Sequence, residues 1–494
     1  MTLLKNKEIS FVDFRDELLS DFRLACESRE ASLLGRREVL TGKAKFGIFG
    51  DGKELAQIAM SKVFREGDFR SGYYRDQTFM MAIGQMSIRQ MFAGLYGHSD
   101  LELEPSSGGR QMSGHYASRT LNDDGTWKNL MEMKNSSADV SCTASQMPRL
   151  LGLAQASKIY RKNKSLEDRT SFSNKGNEVA FGTIGDSSTS EGLFFETINA
   201  AGVLQVPMIM SVWDDGYGIS VPSKYQTTKE SISEVLKGFQ RDEDNAGYEI
   251  FRVKGWDYPS LIETYQKAEK IAREEHVPCL IHVMEMTQPQ GHSTSGSHER
   301  YKSKDRLQWE ADFDPIKKMG EWIVKTGISS QEDIDLIMSE AKKTVRLQKA
   351  EAWNAYINLI KQEQQQVLSL MGKIADDSPN KVFIEKLVND LRVYNEPSRK
   401  DVFYAARKCL RLARNDKSSV KSTLSTWVKK EKEINTNRYS SHLYSASELA
   451  SLKIEEVLPV YNDDVKDVDG RIIIRDNFDV IFKNKPETLV FGED

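Results

Sequence analysis

The 494-residue chain reads as an α/β protein, a doubly wound parallel sheet with flanking helices followed by a helical C-terminal linker. Three observations predict this class. First, from residue 67 to about residue 300, apolar runs of strand length alternate with amphipathic helical stretches. Second, the segment VAFGTIGDSSTSEGLFFETINAAGVLQVPMIMSVWDDGYGIS, residues 179–220, holds an apolar run, a small polar turn, a helix and a second apolar run. That order is one βαβ unit, in which the helix returns the chain to a neighbouring parallel strand. Third, a helix opened by Pro259 leads into another apolar run at Cys279.

Taken in order, residues 1–66 form an N-terminal helical segment with a Gly-rich turn at Gly47 to Gly52. Residues 67–372 form the principal domain. Within it, Gly185 lets the backbone bend after the strand, and Ser188, three residues before Glu191, fits a capping box for the helix that follows. Further strands are expected at Tyr248 to Val253 and Cys279 to Met284, with a helix over Pro259 to Glu275 between them. From about 310 the sequence is helical and charged, and EAWNAYINLIKQEQQQVLSLM predicts one long amphipathic helix. Residues 373–469, rich in Lys, Asp and Ser, read as a helical linker with loops. Their basic run SSVKSTLSTWVKKEKE is a solvated helix face. The last segment, 470–494, predicts a strand, an amphipathic helix and a second strand ending in Gly492-Glu493-Asp494.

Composition narrows the function classes. A formal net charge of −4 argues against a nucleic-acid protein. The four cysteines, Cys26, Cys142, Cys279 and Cys409, form neither a CxxC pair nor a dense framework, which points to a reducing compartment without structural zinc. No stretch has the length of a membrane span, and MTLLKNKEISFVDFRDELL has no apolar signal core. A cytoplasmic location is expected.

The chemistry concentrates at the two ends of the βαβ unit. Asp186 and Asp215 stand 29 residues apart (215 − 186), about the length of such a unit, so both fall at carboxyl ends of adjacent strands. Small residues from Ser187 through Ser188 to Ser190 leave backbone N–H groups open to a phosphate. Two carboxylates beside a helix start can hold Mg²⁺, and the Mg²⁺ a diphosphate. An isolated Gly-Asp is ordinarily only an acidic turn; here both ends of the unit match.

Gly185-Asp186, Ser190-Glu191-Gly192, Asn199, Pro207 and Asp215-Gly216-Tyr217 resemble the thiamine diphosphate motif, Gly-Asp-Gly followed some thirty residues later by Asn-Asn. In particular they resemble the alpha subunit of the 2-oxoacid dehydrogenase component of pyruvate and branched-chain complexes. The resemblance implies a thiamine diphosphate-binding fold. It also implies Asp186, the Asp215 side chain and the Tyr217 carbonyl as Mg²⁺ ligands. Three departures bear on charge. Ser187 replaces the third glycine, Asp214-Asp215 replaces Asn-Asn, and Trp213 stands where branched-chain members commonly carry Arg. An added carboxylate beside an anionic diphosphate must be balanced elsewhere.

Other segments extend the resemblance. Gly72-Tyr73-Tyr74-Arg75-Asp76 is similar to the Tyr-Arg-Asp motif whose Tyr and Arg, here Tyr74 and Arg75, contact the diphosphate. SCTASQMP, with Ser141 and Thr143, resembles the segment that contacts the aminopyrimidine and starts a core helix. Gly109-Arg110-Gln111-Met112 with His115 is closer to the branched-chain subgroup. The loop QGHSTSGSHERYK, 290–302, resembles the active-site loop, with His292 as the histidine that reaches the reacting centre and Ser293 beside it. His298 has no counterpart and reads as a solvated loop residue.

The resemblance implies a dehydrogenase component that decarboxylates a branched-chain 2-oxoacid of the 3-methyl-2-oxobutanoate type and passes the acyl group to lipoamide. Pyruvate is the alternative substrate, and a non-catalytic alpha-type dimerisation or docking relative the alternative class. Implied partners are a pyrimidine-binding beta half, a lipoyl acyltransferase core and a second alpha half. Residues 470–494 resemble the opening of a beta half, so the chain is expected to be a fused alpha–beta polypeptide cut early. It should lack the proton relay and be inactive alone.

Overall fold

A computed structural model describes residues 10–492; the N-terminal reading over residues 1–9 and the final Glu493-Asp494 lie outside it. The N-terminal segment holds α1 (Phe11–Leu40) and α2 (Glu54–Val63). Next come β1 (Phe69–Ser71), α3 (Gln77–Ala82), α4 (Ile88–Tyr96), a long loop, β2 (Asn135–Ser136) and α5 (Gln146–Lys162). The βαβ unit forms as expected from β3 (Ala180–Gly185), α6 (Gly192–Leu204) and β4 (Met208–Trp213). A small hairpin of β5 (Tyr217–Gly218) and β6 (Val221–Pro222) and the short α7 (Ile232–Val235) lead to β7 (Glu249–Lys254). After it come α8 (Tyr258–Lys270) and β8 (Cys279–Met284).

Six strands form one sheet in the order β2-β1-β3-β4-β8-β7, and every adjacent pair is parallel. Alternation along the strands decides which helices cover which face. Phe181, Ile209, Trp213, Ile281 and Val283 join the core built with α1, α2, α3, α4 and α8. Ala180, Ile184, Met208, Met210, Val212 and Leu280 join the core shared with α5 and α6. With both faces covered, β3, β4 and β8 read as near-continuous apolar runs, which is why the sequence reveals them.

Beyond the sheet lie α9 (Lys304–Asp312), α10 (Pro315–Lys325) and α11 (Gln331–Asp377), the last a 47-residue helix that contains the predicted long one. The structure corrects the reading of residues 373–469 as a linker. Here α12 (Lys381–Arg392), α13 (Arg399–Leu412) and α14 (Ser419–Ser440) pack against the second half of α11 around their own core. Ile384, Leu387, Val388 and Leu391, at helical spacing, form the buried stripe of α12; the charged residues between them masked it. The basic run of α14 does lie on a solvated face, while Leu424 is buried beneath it.

Two local expectations are also corrected. Ser188 does not cap α6, because Ser187–Ser190 form an extra 3₁₀ turn closed by Thr189 N–H to Asp186 O at 3.1 Å, and Glu191 precedes the helix. At the C-terminus, the predicted strand is instead the first part of α15 (Gly470–Asn484). Ile474, Phe478 and Phe482 recur every four residues, a helical spacing, and the helix satisfies the segment's own backbone. Residues 488–491 likewise form no strand, and α15 buries no residue.

Candidate active site

Register places the two halves of the motif side by side. Gly185 at the end of β3 pairs with Trp213 at the end of β4, and Asp186 N–H donates to Trp213 O at 3.1 Å. The chain then leaves both strands at the same edge, the crevice at strand carboxyl ends where parallel sheets bind ligands. A cavity of about 320 Å³ opens there. All eleven residues singled out from the sequence line it: Tyr74, Arg75, Ser141, Thr143, Gly185, Asp186, Ser187, Ser188, Asp215, Tyr217 and His292. Phe46, Ile48, Met112 and Ile219 give it an apolar side.

The carboxylates are not equivalent. Burial first, then the Asp215 and Asp214 charges, push Asp186 well above the usual carboxylate range. Burial acts in the same direction on Asp215, but the Lys53 ammonium outweighs it, helped by Arg75 and Lys302, and holds that carboxyl below its ordinary range. Lys53 Nζ lies 2.7 Å from Asp215 Oδ2, and the other Asp215 oxygen accepts Tyr217 N–H at 3.2 Å. Asp214 turns away from the cavity. Its Oδ1 accepts Gly216 N–H at 2.9 Å, and its Oδ2 takes the Nε2 proton of buried His282 at 2.8 Å. His282 Nδ1 in turn meets the Ser233 hydroxyl at 2.8 Å. The added negative charge at position 214 thus faces a histidine rather than the ligand space.

A buried network fixes the Tyr-Arg loop. Arg70, fully buried, forks onto Asp139 with two 3.0 Å bonds and onto Asp76 Oδ2 at 2.8 Å. Thr183 Oγ1, on β3, donates to the same Asp76 oxygen at 2.6 Å. Asp76 is therefore an anchor, while Arg75 reaches the cavity and donates to Phe49 O at 2.8 Å and His292 O at 3.0 Å. Burial, reinforced by Arg75, lowers His292 to about 4, so its imidazole is neutral at pH 7. Ser293 meets Ser295 at 2.7 Å and does not line the cavity. His115 donates from Nδ1 to Met112 O at 3.0 Å, and its Nε2 accepts the Ser141 hydroxyl at 2.8 Å, tying the 109–115 loop to the 141 segment. Arg110 points elsewhere, to Ser441 O at 2.7 Å. His298 is half-buried against Gly291 rather than solvated.

Sequence reasoning missed several residues here. Lys53 and Tyr73 face the site from the Gly-rich turn and the Tyr-Arg loop, and Tyr301 and Lys302 close the cavity from the 290–302 loop. Arg306, on α9, donates to Asp215 O at 2.7 Å. Tyr73 carried a signal, since it sits inside the motif already singled out. Lys53 carried none beyond its place next to Gly52, because its partners lie 162 to 235 positions away.

Comparison with known sequences turns this arrangement into an assignment. The model of the dehydrogenase E1 component family matches residues 36–359, which include every one of these cavity residues. The chain belongs to the dehydrogenase E1 component family. It is 28% identical over 316 residues to 2-oxoisovalerate dehydrogenase subunit alpha of Bacillus subtilis, covering 64% of this chain and 84% of that relative. It is 26% identical over 350 residues to 2-oxoisovalerate dehydrogenase subunit alpha 1, mitochondrial, of Arabidopsis thaliana, covering 70% and 64%. The mitochondrial alpha subunit of Mus musculus is 24% identical over 306 residues, covering 62% and 60%. The chain thus spans less than two thirds of the plant and mouse relatives.

E1 components of this family use thiamine diphosphate with Mg²⁺. The donor set of this chain fits that group. Among the described residues no three His, Cys, Asp or Glu side chains gather as a metal site, so a cation here must draw on two carboxylates and backbone. Asp186 and Asp215 supply those hard oxygens, and like-charge crowding on Asp186 is what a divalent cation relieves. Arg75 spends two of its guanidinium N–H groups on carbonyls and keeps others for a phosphate oxygen.

Proposed function

We propose that this E1 chain is the alpha-type, diphosphate-binding half of a dehydrogenase that decarboxylates a branched-chain 2-oxoacid of the 3-methyl-2-oxobutanoate type, with lipoamide as acyl acceptor. The observation that carries the reading is the single cavity at the ends of β3 and β4, lined by Asp186, Asp215, Arg75, Tyr217 and His292 together. Bound thiamine diphosphate would supply the electron sink for loss of carbon dioxide. The chain's own residues bind and orient it. Asp186, Asp215 and the Tyr217 carbonyl would hold the Mg²⁺, and Tyr74, Arg75 and the turn Gly185–Ser188 would take the diphosphate. Ser141 and Thr143, which line the same cavity, would border the aminopyrimidine. Neutral His292 offers one N–H and one acceptor nitrogen, so it can hold or hand over a proton next to the 2-oxo group. The apolar side formed by Phe46, Ile48, Met112 and Ile219 suits an aliphatic substituent, which favours a branched-chain acid over pyruvate.

The reading includes partners. A pyrimidine-binding beta half completes the site, two alpha halves pair, and a lipoyl acyltransferase core receives the acyl group. The four free cysteines, three of them buried, support a reducing, cytoplasmic setting, which cell fractionation would check. The functional test mixes the chain with a beta-type half, thiamine diphosphate and Mg²⁺, and follows decarboxylation of 3-methyl-2-oxobutanoate and of pyruvate. Higher kcat/KM on the branched acid is expected. Turnover on pyruvate alone changes the substrate, and no turnover with thermal stabilisation by cofactor lost as well leaves the docking relative.

A further inference from the structure

The turn before α2 is built to deliver one ammonium group to the cofactor crevice. Gly52 has φ +86°, and a Cβ there would stand 2.0 Å from Thr287 O, so only glycine lets α2 start this close to the strand-end loop. Lys53, 1% exposed, follows directly. Its three N–H donors have three acceptors: Asp215 Oδ2 and Thr287 O at 2.7 Å and Gln288 Oε1 at 2.8 Å. Burying a lysine completely is costly unless every proton is taken and the charge is paired, and both conditions are met here. Asp215 is immobilised from the other side too, by Tyr217 N–H on Oδ1 and Arg306 on its carbonyl.

Resting on the diphosphate-site reading, we infer that Lys53 is the resident counter-ion of Asp215, and that the two act as one unit in place of the neutral asparagine of the family pattern. Asparagine offers a metal one neutral oxygen. Aspartate alone adds a full negative charge next to the diphosphate. Aspartate bound by a lysine restores the neutral total and still leaves a carboxylate oxygen lone pair for Mg²⁺. Lys53 is a positioning residue in this scheme; it touches the ligand of the metal, not the substrate. A buried pair is by itself weak evidence of a stabilising role, since neutral packing can do as well. The inference stands on where the pair lies: its acid is one of two carboxylates lining the cavity.

Restoring the family residue by Asp215→Asn should harm the site, because it leaves the Lys53 ammonium unpaired beside the cation. The test is a double-mutant cycle on the full chain, titrated with thiamine diphosphate and Mg²⁺ by tryptophan fluorescence, alongside melting of the cofactor-free protein. D215N is expected to raise the Mg²⁺ concentration needed for half-saturation by about tenfold or more and to lower the melting temperature. The double variant K53Q/D215N, which carries a neutral pair, is expected to return to within about threefold of wild type and to recover melting. Wild-type-like Mg²⁺ dependence in D215N, or a double variant no better than D215N, overturns the inference while the diphosphate site stands. If wild type shows no response to thiamine diphosphate and Mg²⁺, the site reading fails and this inference falls with it.

Discussion

At the residue scale, burial turns identical side chains into different chemical tools. Asp186 and Asp215 occupy matching strand ends, yet one is crowded by carboxylates and the other is held by an ammonium. Asp186→Asn replaces a buried carboxyl whose ionisation burial and the Asp215 and Asp214 charges already oppose. The cofactor-free protein should therefore melt no lower than wild type, whereas the added stabilisation by thiamine diphosphate with Mg²⁺ should vanish in a thermal-shift assay. Histidines give a pH signature. His276 donates from Nε2 to Gly176 O at 3.0 Å, and burial, with Arg161 next in weight, lowers it to about 4. Its folded-state value lies below that of the unfolded chain, so the native state binds fewer protons between the two. Stability should accordingly be lost as pH falls from about 6.5 to 4, by about 1–2 kcal/mol from this residue. His276→Gln, whose amide can still donate to Gly176 O, should flatten that part of a urea-denaturation profile against pH.

Elements carry the site by their ends. The cofactor crevice is made where β3 and β4 stop, where α2 begins, and where the loop after β8 crosses. The start of α2 is the tightest joint. Gly52→Ala should cost roughly 2–4 kcal/mol, combining left-handed strain with displacement of the Thr287 strand-end loop. Loss of Mg²⁺-dependent binding should accompany it, because Lys53 moves with the turn. Denaturant melts and cofactor titration on one preparation measure both. How far such joints were legible depended on range. The Gly185-Asp186 turn and the Asp215-Gly216-Tyr217 turn announced themselves, since each is local and small residues are needed where they stand. The capping box suggested by Ser188 and Glu191 did not form. The chain used those small residues for one more turn around the crevice, a choice no four-residue pattern encodes.

The whole molecule is a sheet domain joined to a helical bundle by one helix. α11 begins against α1 and α4 and ends inside the core of α12, α13 and α14, so residue 372 is no boundary. A chain ending at 372 would leave Ile360, Val367 and Met371 facing water on the last turns of α11. It should express poorly or melt well below the full chain. Removing 455–494 instead takes away residues that are almost all exposed and should shift the melting temperature by no more than about 2 °C. Limited proteolysis should likewise trim this C-terminal stretch first and leave the bundle intact.

The parallel sheet, the βαβ unit and the two acidic turns followed from sequence because each rests on short-range pattern, whereas Tyr74, Arg75, Ser141, Thr143, Tyr217 and His292 were reached only through the resemblance of their motifs to a known family. Apolar runs of strand length, glycines at bends and charged residues after them constrain the chain within a few tens of residues. The tertiary structure alone decided how charge is shared. Whether Asp214 faces the ligand, what balances Asp215, and whether residues 373–469 pack or dangle all depend on groups brought together across the fold. His282 answers the first from 68 positions away, and Lys53 the second from 162. Electrostatic pairing in a buried crevice acts through space, and the order of residues along the chain leaves no trace of it.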